Sequence, residues 1–205
     1  MRKGINVYDE ARFIFGSVNE SEKLVNFSNS SNPCIFLSHR SSDKAAVKEI
    51  GEYITNAGIN IYMDMDDPLL QLAVASDNHE AITLSIERGI TSSTDLIVFV
   101  SEKTFGSWWV PYEIGYGKKT DIFLSYLRLN DTPTVPSYLN ISAVRHIDGI
   151  GDLCSYLKEV KYRSNSSQQF SGSRSYIQLL TEEAESNEAL SNPSSYQTLR
   201  KYLDQ

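Results

Sequence analysis

The sequence lacks any apolar run that approaches the roughly 18 residues of a membrane-spanning helix. It begins with the basic Met1-Arg2-Lys3, but Asp9 and Glu10 follow before an apolar segment forms, and a secretory signal does not have this pattern. Cysteine is scarce. Cys34 and Cys154 lie far apart and fit neither a metal-ligand spacing nor a disulfide framework. We therefore expect a cytoplasmic protein whose two thiols are reduced and buried.

Positive charge is also in short supply. The 19 Lys and Arg residues stand against 26 Asp and Glu residues, which gives a formal net charge of -7, and no basic run is longer than Lys118-Lys119. Because a nucleic-acid backbone needs a basic face, this balance argues against a general nucleic-acid binder. A glycine-rich phosphate loop is missing too, which argues against an NTPase or a redox dinucleotide site. His79 and His146 have no partner at metal-ligand spacing, and we interpret both as structural, with no metal expected.

Composition divides the 205 residues into three parts. We predict a polar N-terminal extension over 1–32, one domain over 33–162, and a Ser-rich linker with a short helical tail over 163–205. Within the last part, residues 164–175 are half serine and are predicted to be flexible. Short helices are predicted over 176–190 and 196–203.

The central part alternates apolar runs with amphipathic stretches. Five strands are predicted, over 34–37, 59–63, 96–100, 122–129 and 144–147. A first helix is predicted after Ser42 and Asp43, which offer N-cap oxygens, and is predicted to end at Gly58. A second is predicted from about 78, where isoleucines recur every fourth residue, and others over 107–118 and 153–160. Residues 64–77 are predicted to be an irregular loop with at most a helical turn. This alternation predicts an α/β fold with a flavodoxin-like parallel sheet, strand order 2-1-3-4-5, and helices on both faces.

The strand order has a consequence for ligand binding. The chain direction reverses between the first and third strands, which opens a crevice at their carboxyl ends, where ligands bind in such folds. In this sequence the crevice is expected between residues 38–43 and residues 101–113.

The segment after the third strand carries the residues with the clearest chemistry. Ser107 is suited to cap the helix, and Pro111 is tolerated because it lies in the first turn. Trp109 and Glu113 are four positions apart and therefore share one helical face. Of the two neighbouring tryptophans, Trp108 is predicted to be the core residue.

Several segments, in order, resemble the TIR (Toll/interleukin-1 receptor-like) domain family. Residues 35–44 look like its opening strand and loop, and residues 86–101 are similar to its second helix and third strand. Residues 109–113 match the Trp-x-x-x-Glu pattern of enzymatic members. The resemblance covers roughly 33–162, and the chain resembles bacterial-type NAD-consuming TIR proteins.

The resemblance implies cleavage of the bond between nicotinamide and ribose in NAD+, with Glu113 as the catalytic residue and Trp109 helping to position the substrate. The product is either ADP-ribose or a cyclic ADP-ribose-type signal. NAD+ would be consumed as a substrate, so no cofactor is expected. The plain alternatives are an exposed helical carboxylate for Glu113 and a core aromatic for Trp109.

Four more residues are candidate substrate contacts. Arg40 follows the first strand near a helix N-terminus, where a guanidinium and helix amides suit a diphosphate. Ser38 and His39 share this loop. Asp64 ends the second strand where the family often has an acid. The alternatives are a solvated arginine, an ordinary loop histidine, and a cap or turn role for Asp64.

The family also implies partners and a cellular role. Self-association through the domain, a downstream effector that senses a nucleotide signal, and bacterial antiphage immunity are expected. One alternative function is a non-catalytic adaptor module, and another is a related α/β enzyme that cleaves nucleosides.

Overall fold

The computed structural model describes residues 4–7, 32–130, 134–170 and 192–203. The apolar runs of the sequence form one five-stranded parallel sheet in the order β2-β1-β3-β4-β5, which confirms the predicted flavodoxin-like topology. Its strands are β1 (Cys34–Ser38), β2 (Asn60–Tyr62), β3 (Asp95–Val100), β4 (Phe123–Arg128) and β5 (Arg145–Ile147).

Six α-helices connect and cover the strands. They are α1 (Lys44–Asn56), α2 (Pro68–Ala75), α3 (His79–Thr91), α4 (Trp109–Lys119), α5 (Gly149–Phe170) and α6 (Pro193–Leu203). Short 3-10 helices lie at Ser41–Asp43, Asp64–Asp66 and Glu102–Gly106.

The sheet separates two apolar cores. Helices α1, α5 and α6 cover one face, and α2, α3 and α4 cover the other. Alternate residues of β3 serve the two cores: Ile97 and Phe99 pack on the first, and Leu96 and Val98 on the second. Because both faces are buried, this strand has no polar alternation in its sequence.

Helix α1 ends as predicted but begins differently. Gly58, just after its C-terminus, adopts a φ of 83°, a left-handed conformation that glycine accepts without strain. At the N-terminus, Asp43 makes no side-chain capping bond. Its Oδ2 instead accepts a hydrogen bond from Ser101 Oγ at 2.6 Å, so its carboxylate joins two loops rather than capping a helix.

The predicted irregular loop over 64–77 is wrong, because most of it is helical. After the 3-10 turn at Asp64–Asp66, Asp67 caps α2 by accepting hydrogen bonds from the backbone amides of Leu69 and Leu70 at 2.9 and 3.2 Å. Pro68 occupies the first helical position, where its fixed φ favours helix initiation.

The prediction of flexibility for 164–175 is also wrong over its first half, because α5 continues to Phe170. Residues 171–175 and the helix predicted over 176–190 lie outside the described residues. The helix predicted over 196–203 corresponds to α6.

The domain boundaries at 32 and 162 stay predictions. The described parts beyond them contact the sheet and its helices: Ile5 and Val7 exchange backbone hydrogen bonds with Ile61 of β2, both 2.9 Å long. Leu199 and Leu203 of α6 are buried in the core on the α1 face.

Both cysteines are buried and unpaired, as expected. Burial raises the pKa of the Cys34 thiol to about 12, so this thiol stays protonated. Within the described residues, no helix combines the length and the apolar character needed to cross a membrane.

Candidate functional site

The two segments predicted to form the walls of a crevice, residues 38–43 and 101–113, meet where β1 and β3 end, and a buried hydrogen bond joins them. Ser38 is the last residue of β1, and its Oγ donates to Oε2 of Glu113 on α4 at 2.5 Å. Both side chains are buried, with residue exposures of 1% and 2%. Two residues that are 75 positions apart in the sequence therefore share one buried site.

Helix α4 carries the Glu113 side chain into the interior of the domain. Ser107 Oγ accepts a hydrogen bond from the Val110 amide of the first turn at 3.2 Å, although Trp108, and not Ser107, is the N-cap residue. Pro111 is the third residue of the helix, as expected. Val110 and Ile114 are buried on the same side as Glu113, so packing of these apolar neighbours on the sheet carries the carboxyl group into the interior.

The environment of Glu113 favours its neutral form. Burial raises the pKa of this carboxyl to about 8, the hydrogen bond from Ser38 opposes the rise, and the nearby charge of Asp64 adds to it. A carboxyl group whose pKa lies close to physiological pH is typical of catalytic and charge-stabilising positions.

His39 and Asp64 lie beside this carboxyl group. His39 is buried, and its Nδ1 lies 2.8 Å from the carbonyl oxygen of Leu37, which it reaches as an N–H donor. The other ring nitrogen, Nε2, is 3.9 Å from Asp64 Oδ1. Burial raises the pKa of Asp64, and the His39 ring opposes that rise. The structure thus brings Ser38, His39, Asp64 and Glu113 together.

Arg40 lies on the same loop, but its side chain is already engaged. Its Nη1 donates a hydrogen bond to the backbone carbonyl of Lys103, on the 3-10 helix that follows β3. A Cβ atom added at Gly106 would come within 2.7 Å of that nitrogen, so the glycine makes room for the guanidinium. Arg40 therefore spans the two walls of the crevice, and its contact with a phosphate stays a prediction.

One of the two neighbouring tryptophans lies elsewhere than predicted. Trp108 is 92% exposed, so its assignment as the core residue is wrong. It precedes the first turn of α4 and lies outside the helical face that packs on the sheet, where Val110 takes the core position. Trp109 is 38% exposed, and its ring meets Tyr112 edge-on, with centroids 5.9 Å apart.

A second polar network joins the crevice walls and was missed in the sequence. Ser101 Oγ donates to Asp43, and the Lys103 amide donates back to Ser101 Oγ at 3.2 Å. The Ser101 amide bonds Thr104 Oγ1 at 2.9 Å, which completes a capping box. The Ser-x-x-Thr spacing is a local signal from which the capping box could have been predicted. No local pattern indicates the hydrogen bond from Ser101 to Asp43.

The two remaining histidines lie outside this cluster. His79 is exposed beside Asp77, and His146 stacks on Tyr126 with ring centroids 4.6 Å apart. Over the ranges that the structure describes, no group of three or more His, Cys, Asp or Glu side chains is placed to hold a metal ion.

Comparison with known proteins supplies the family. No curated protein matches the chain. A family model described as the TIR domain matches residues 35–159, which is more than half of the chain and contains Ser38, Asp64 and Glu113. Together with the confirmed strand order, this match shows that the chain belongs to the TIR domain family.

Proposed function

We propose that this protein cleaves the bond between nicotinamide and ribose in NAD+, with Glu113 as its catalytic residue. The observation that carries the proposal is a buried carboxyl group at the carboxyl end of the sheet, bonded by Ser38 and with a pKa of about 8. It lies at the switch point between β1 and β3, where ligands bind in folds of this topology. The Trp-x-x-x-Glu pattern of enzymatic TIR proteins supports the same assignment.

The chemistry requires a negative charge close to the ribose. When the C1′–N bond breaks, its electron pair leaves with nicotinamide and the ribose acquires oxocarbenium character. A preorganised carboxylate stabilises this charge more strongly in the transition state than in the ground state, and such groups are worth about 100-fold or more in rate. Water then adds to C1′ and releases a proton to give ADP-ribose, or a nucleophilic atom of the ADP-ribosyl group closes a ring.

The protonation state of Glu113 is consistent with a site that binds a cationic ligand. Without a ligand, burial keeps this carboxyl group largely neutral at neutral pH. The pyridinium of NAD+ carries a positive charge, and an adjacent positive charge lowers the pKa of a carboxyl group. Substrate binding would therefore favour the ionised form that the reaction uses.

The other candidate residues are given supporting roles. Ser38 orients the Glu113 carboxylate, and Trp109 provides a partly exposed ring beside it for the substrate. His39 and Asp64 contact the ribose side of the site, and Arg40 the diphosphate. No resident cofactor is part of this proposal, since NAD+ is the substrate.

The direct test is to incubate the purified protein with NAD+ and identify the products by mass spectrometry. We expect free nicotinamide together with ADP-ribose or a cyclic isomer, and loss of both with Glu113→Ala. Glu80→Ala, which removes an exposed carboxylate from α3, is the matched control and should retain activity. If the wild-type protein releases no nicotinamide even at high concentration, the proposal fails.

The cellular role proposed with this activity is antiphage defence in a bacterial cytoplasm. Loss of NAD+, or a nucleotide signal sensed by a downstream effector, would follow infection. Phage challenge of cells that carry the gene, with and without Glu113→Ala, tests this role. Equal plaque formation in both strains, in the presence of neighbouring genes, would contradict it.

A non-catalytic interaction module is the second candidate, and one observation favours it. Trp108 and Phe105, at the N-terminal end of α4 and just before it, are 92% and 55% exposed. Exposed aromatic residues that lie close in sequence are frequent at protein interfaces. Concentration-dependent self-association that Trp108→Ser abolishes, without any change in NAD+, would support an adaptor.

A further inference from the structure

Helices α3 and α4 meet along a row of aromatic rings that begins at the site. Trp109, Tyr112 and Tyr116 follow one another on α4. The Trp109 and Tyr112 rings meet edge-on at 5.9 Å with an interplanar angle of 88°, and the Tyr112 and Tyr116 rings stack at 6.4 Å. This row places Tyr112 directly against the indole.

Tyr112 is anchored from the neighbouring helix. Its hydroxyl donates a hydrogen bond to Oε1 of Glu87 on α3, and the contact is partly buried. This bond raises the pKa of Tyr112 to about 12, so the phenol remains a donor throughout the physiological range. Farther along, Thr91 Oγ1 lies 3.5 Å from the Tyr116 hydroxyl, a looser contact of the same kind.

Helical geometry connects this anchor to the buried carboxyl group. Trp109 precedes Tyr112 by three positions and Glu113 by four, so its side chain adjoins both residues on the helix surface. At 38% exposure the indole is not enclosed by the core. Its orientation therefore depends on the side chains that it does contact, and the Tyr112 ring is one of them.

We propose that Glu87 and Tyr112 are positioning residues for Trp109. Glu87 fixes the Tyr112 ring through the hydroxyl, and the edge of that ring holds the indole at the mouth of the Glu113 site. The substrate that meets the indole is NAD+, so this part of the inference rests on the proposed function. Neither Glu87 nor Tyr112 is assigned a contact with the reacting atoms.

The indole itself supplies a test that needs no substrate. The chain has two tryptophans, so a Trp108→Phe background leaves Trp109 as the only one. In that background, Glu87→Ala and Tyr112→Phe should raise the acrylamide quenching constant of the fluorescence about twofold and lower its anisotropy. Glu87→Gln should not change either value, because its amide oxygen still accepts the hydrogen bond.

The kinetic test uses the same substitutions with Trp108 restored. We expect kcat/KM for NAD+ to fall about tenfold in Glu87→Ala and Tyr112→Phe, mainly through KM, and to be restored in Glu87→Gln, since one net hydrogen bond is worth about a factor of ten. Thr91→Val is the matched control. It removes the neighbouring contact between the same helices without reaching Trp109, and both readouts should stay at the wild-type values.

Each outcome decides a separate point. Glu87→Ala and Tyr112→Phe are compared with wild type once their unfolding temperatures are shown to equal that of wild type. Unchanged quenching and anisotropy in these variants would then overturn the positioning role, even if the enzyme is active. Changed fluorescence with unchanged KM would show that the indole orientation does not serve NAD+ and would overturn the substrate part. A wild-type protein that releases no nicotinamide overturns the proposed function, whereas the fluorescence result still decides whether the pair holds the indole.

Discussion

Two carboxyl groups are buried at opposite ends of the same sheet, and they differ in their partners. Asp95, at the amino end of β3, accepts hydrogen bonds from Tyr156 Oη and Thr94 Oγ1, each at 2.8 Å, and pairs with Arg163. Glu113, at the carboxyl end, has one described hydrogen bond, from Ser38. A buried carboxylate with a full set of donors is satisfied, and one with a single donor retains capacity for a ligand.

The electrostatics of the two sites differ in the same way. Burial raises the pKa of Asp95, but Arg163, Tyr156 and Thr94 all act against that rise. Burial raises the pKa of Glu113 to about 8, only Ser38 opposes the rise, and the charge of Asp64 increases it. Asp95 thus ties α5 to the sheet with the help of a basic side chain, whereas no basic side chain is among the described groups that act on the pKa of Glu113.

The largest expected effect comes from moving the Glu113 carboxylate without removing it. Glu113→Asp shortens the side chain by one methylene, and a misplacement of about 1 Å costs about 100-fold in rate. We expect kcat for nicotinamide release to fall by about that factor while the unfolding temperature stays close to the wild-type value. A loss below threefold would show that the site does not depend on the position of this carboxylate.

The matching change at the other end of the sheet should affect stability instead. Asp95→Asn removes the charge that pairs with Arg163, which is 24% exposed and also pairs with Glu159. Because Glu159 still pairs with Arg163, we expect the free energy of unfolding to fall by less than the ~3 kcal/mol that an unpaired buried charge costs. Urea denaturation measures this loss, and the kcat of the folded variant at 25 °C should stay within twofold of wild type. A similar loss of kcat would mean that the two carboxylates do not have separate roles.

The third expected effect is the contribution of Glu113 to the pH dependence of stability. Its pKa rises from 4.5 to about 8 on folding, so the carboxyl group ionises more readily in the unfolded chain. Stability is therefore lost as pH rises from about 5 towards 8. The advantage of Glu113→Gln over wild type should grow by about 2 to 3 kcal/mol between pH 5 and pH 7, at 1.36 kcal/mol per pH unit.

Thermal or urea unfolding of both proteins across this pH range measures the difference. Parallel stability curves for wild type and Glu113→Gln would contradict the raised pKa. Asp95→Asn, followed in the same series, shows how much of the pH dependence comes from the other buried carboxyl group.

The smallest expected effect belongs to Ser38. Its hydrogen bond lowers the pKa of Glu113, so Ser38→Ala should raise that pKa further. If the reaction uses the carboxylate, kcat/KM of the wild type rises with pH through about 8, and this limb moves to higher pH in the variant. We expect about a tenfold loss at pH 7, the value of one hydrogen bond to a charged group.

Exposed Ser42 on the same loop offers the matched control, Ser42→Ala, which should leave the pH profile in place. A Ser38→Ala profile that overlays the wild type would show that Ser38 does not tune Glu113.

Local patterns in the sequence were sufficient for most of the fold. The unbroken apolar run of β3 and the isoleucines of α3 at four-residue spacing predicted their elements. Burial on both faces of a sheet leaves a continuous apolar run, and burial along one side of a helix leaves a repeat of about four residues. Gly58 predicted the end of α1 for a similar local reason. The prediction that Trp109 and Glu113 share one helical face was local as well, because both residues lie on the same helix.

The contacts that define the site are long-range, and local patterns carry no record of them. Ser38 and Glu113 are 75 positions apart, and Asp43 and Ser101 are 58 apart. Asp43 was predicted to be a helix cap because it comes just before a helix. A carboxylate in that position can accept a hydrogen bond from a helix amide or from a distant hydroxyl, and the sequence does not distinguish the two.

Two errors had a local cause. The Asp67-Pro68 pair was a readable signal for the start of α2, but the run of acidic residues before it suggested a loop. Trp108 was assigned to the core because the four-residue spacing to Glu113 belongs to Trp109, which left Trp108 as the core member of the pair. Its place just before the first turn of α4 leaves it 92% exposed instead.

The most direct measurement of the central claim is nicotinamide release from NAD+ by wild type, Glu113→Gln and Asp95→Asn, at equal concentrations of folded protein. Wild type and Asp95→Asn should release nicotinamide at rates within twofold of each other, and Glu113→Gln should be slower by about 100-fold or more. Release by Glu113→Gln at the wild-type rate would contradict the assignment of Glu113 as the catalytic residue.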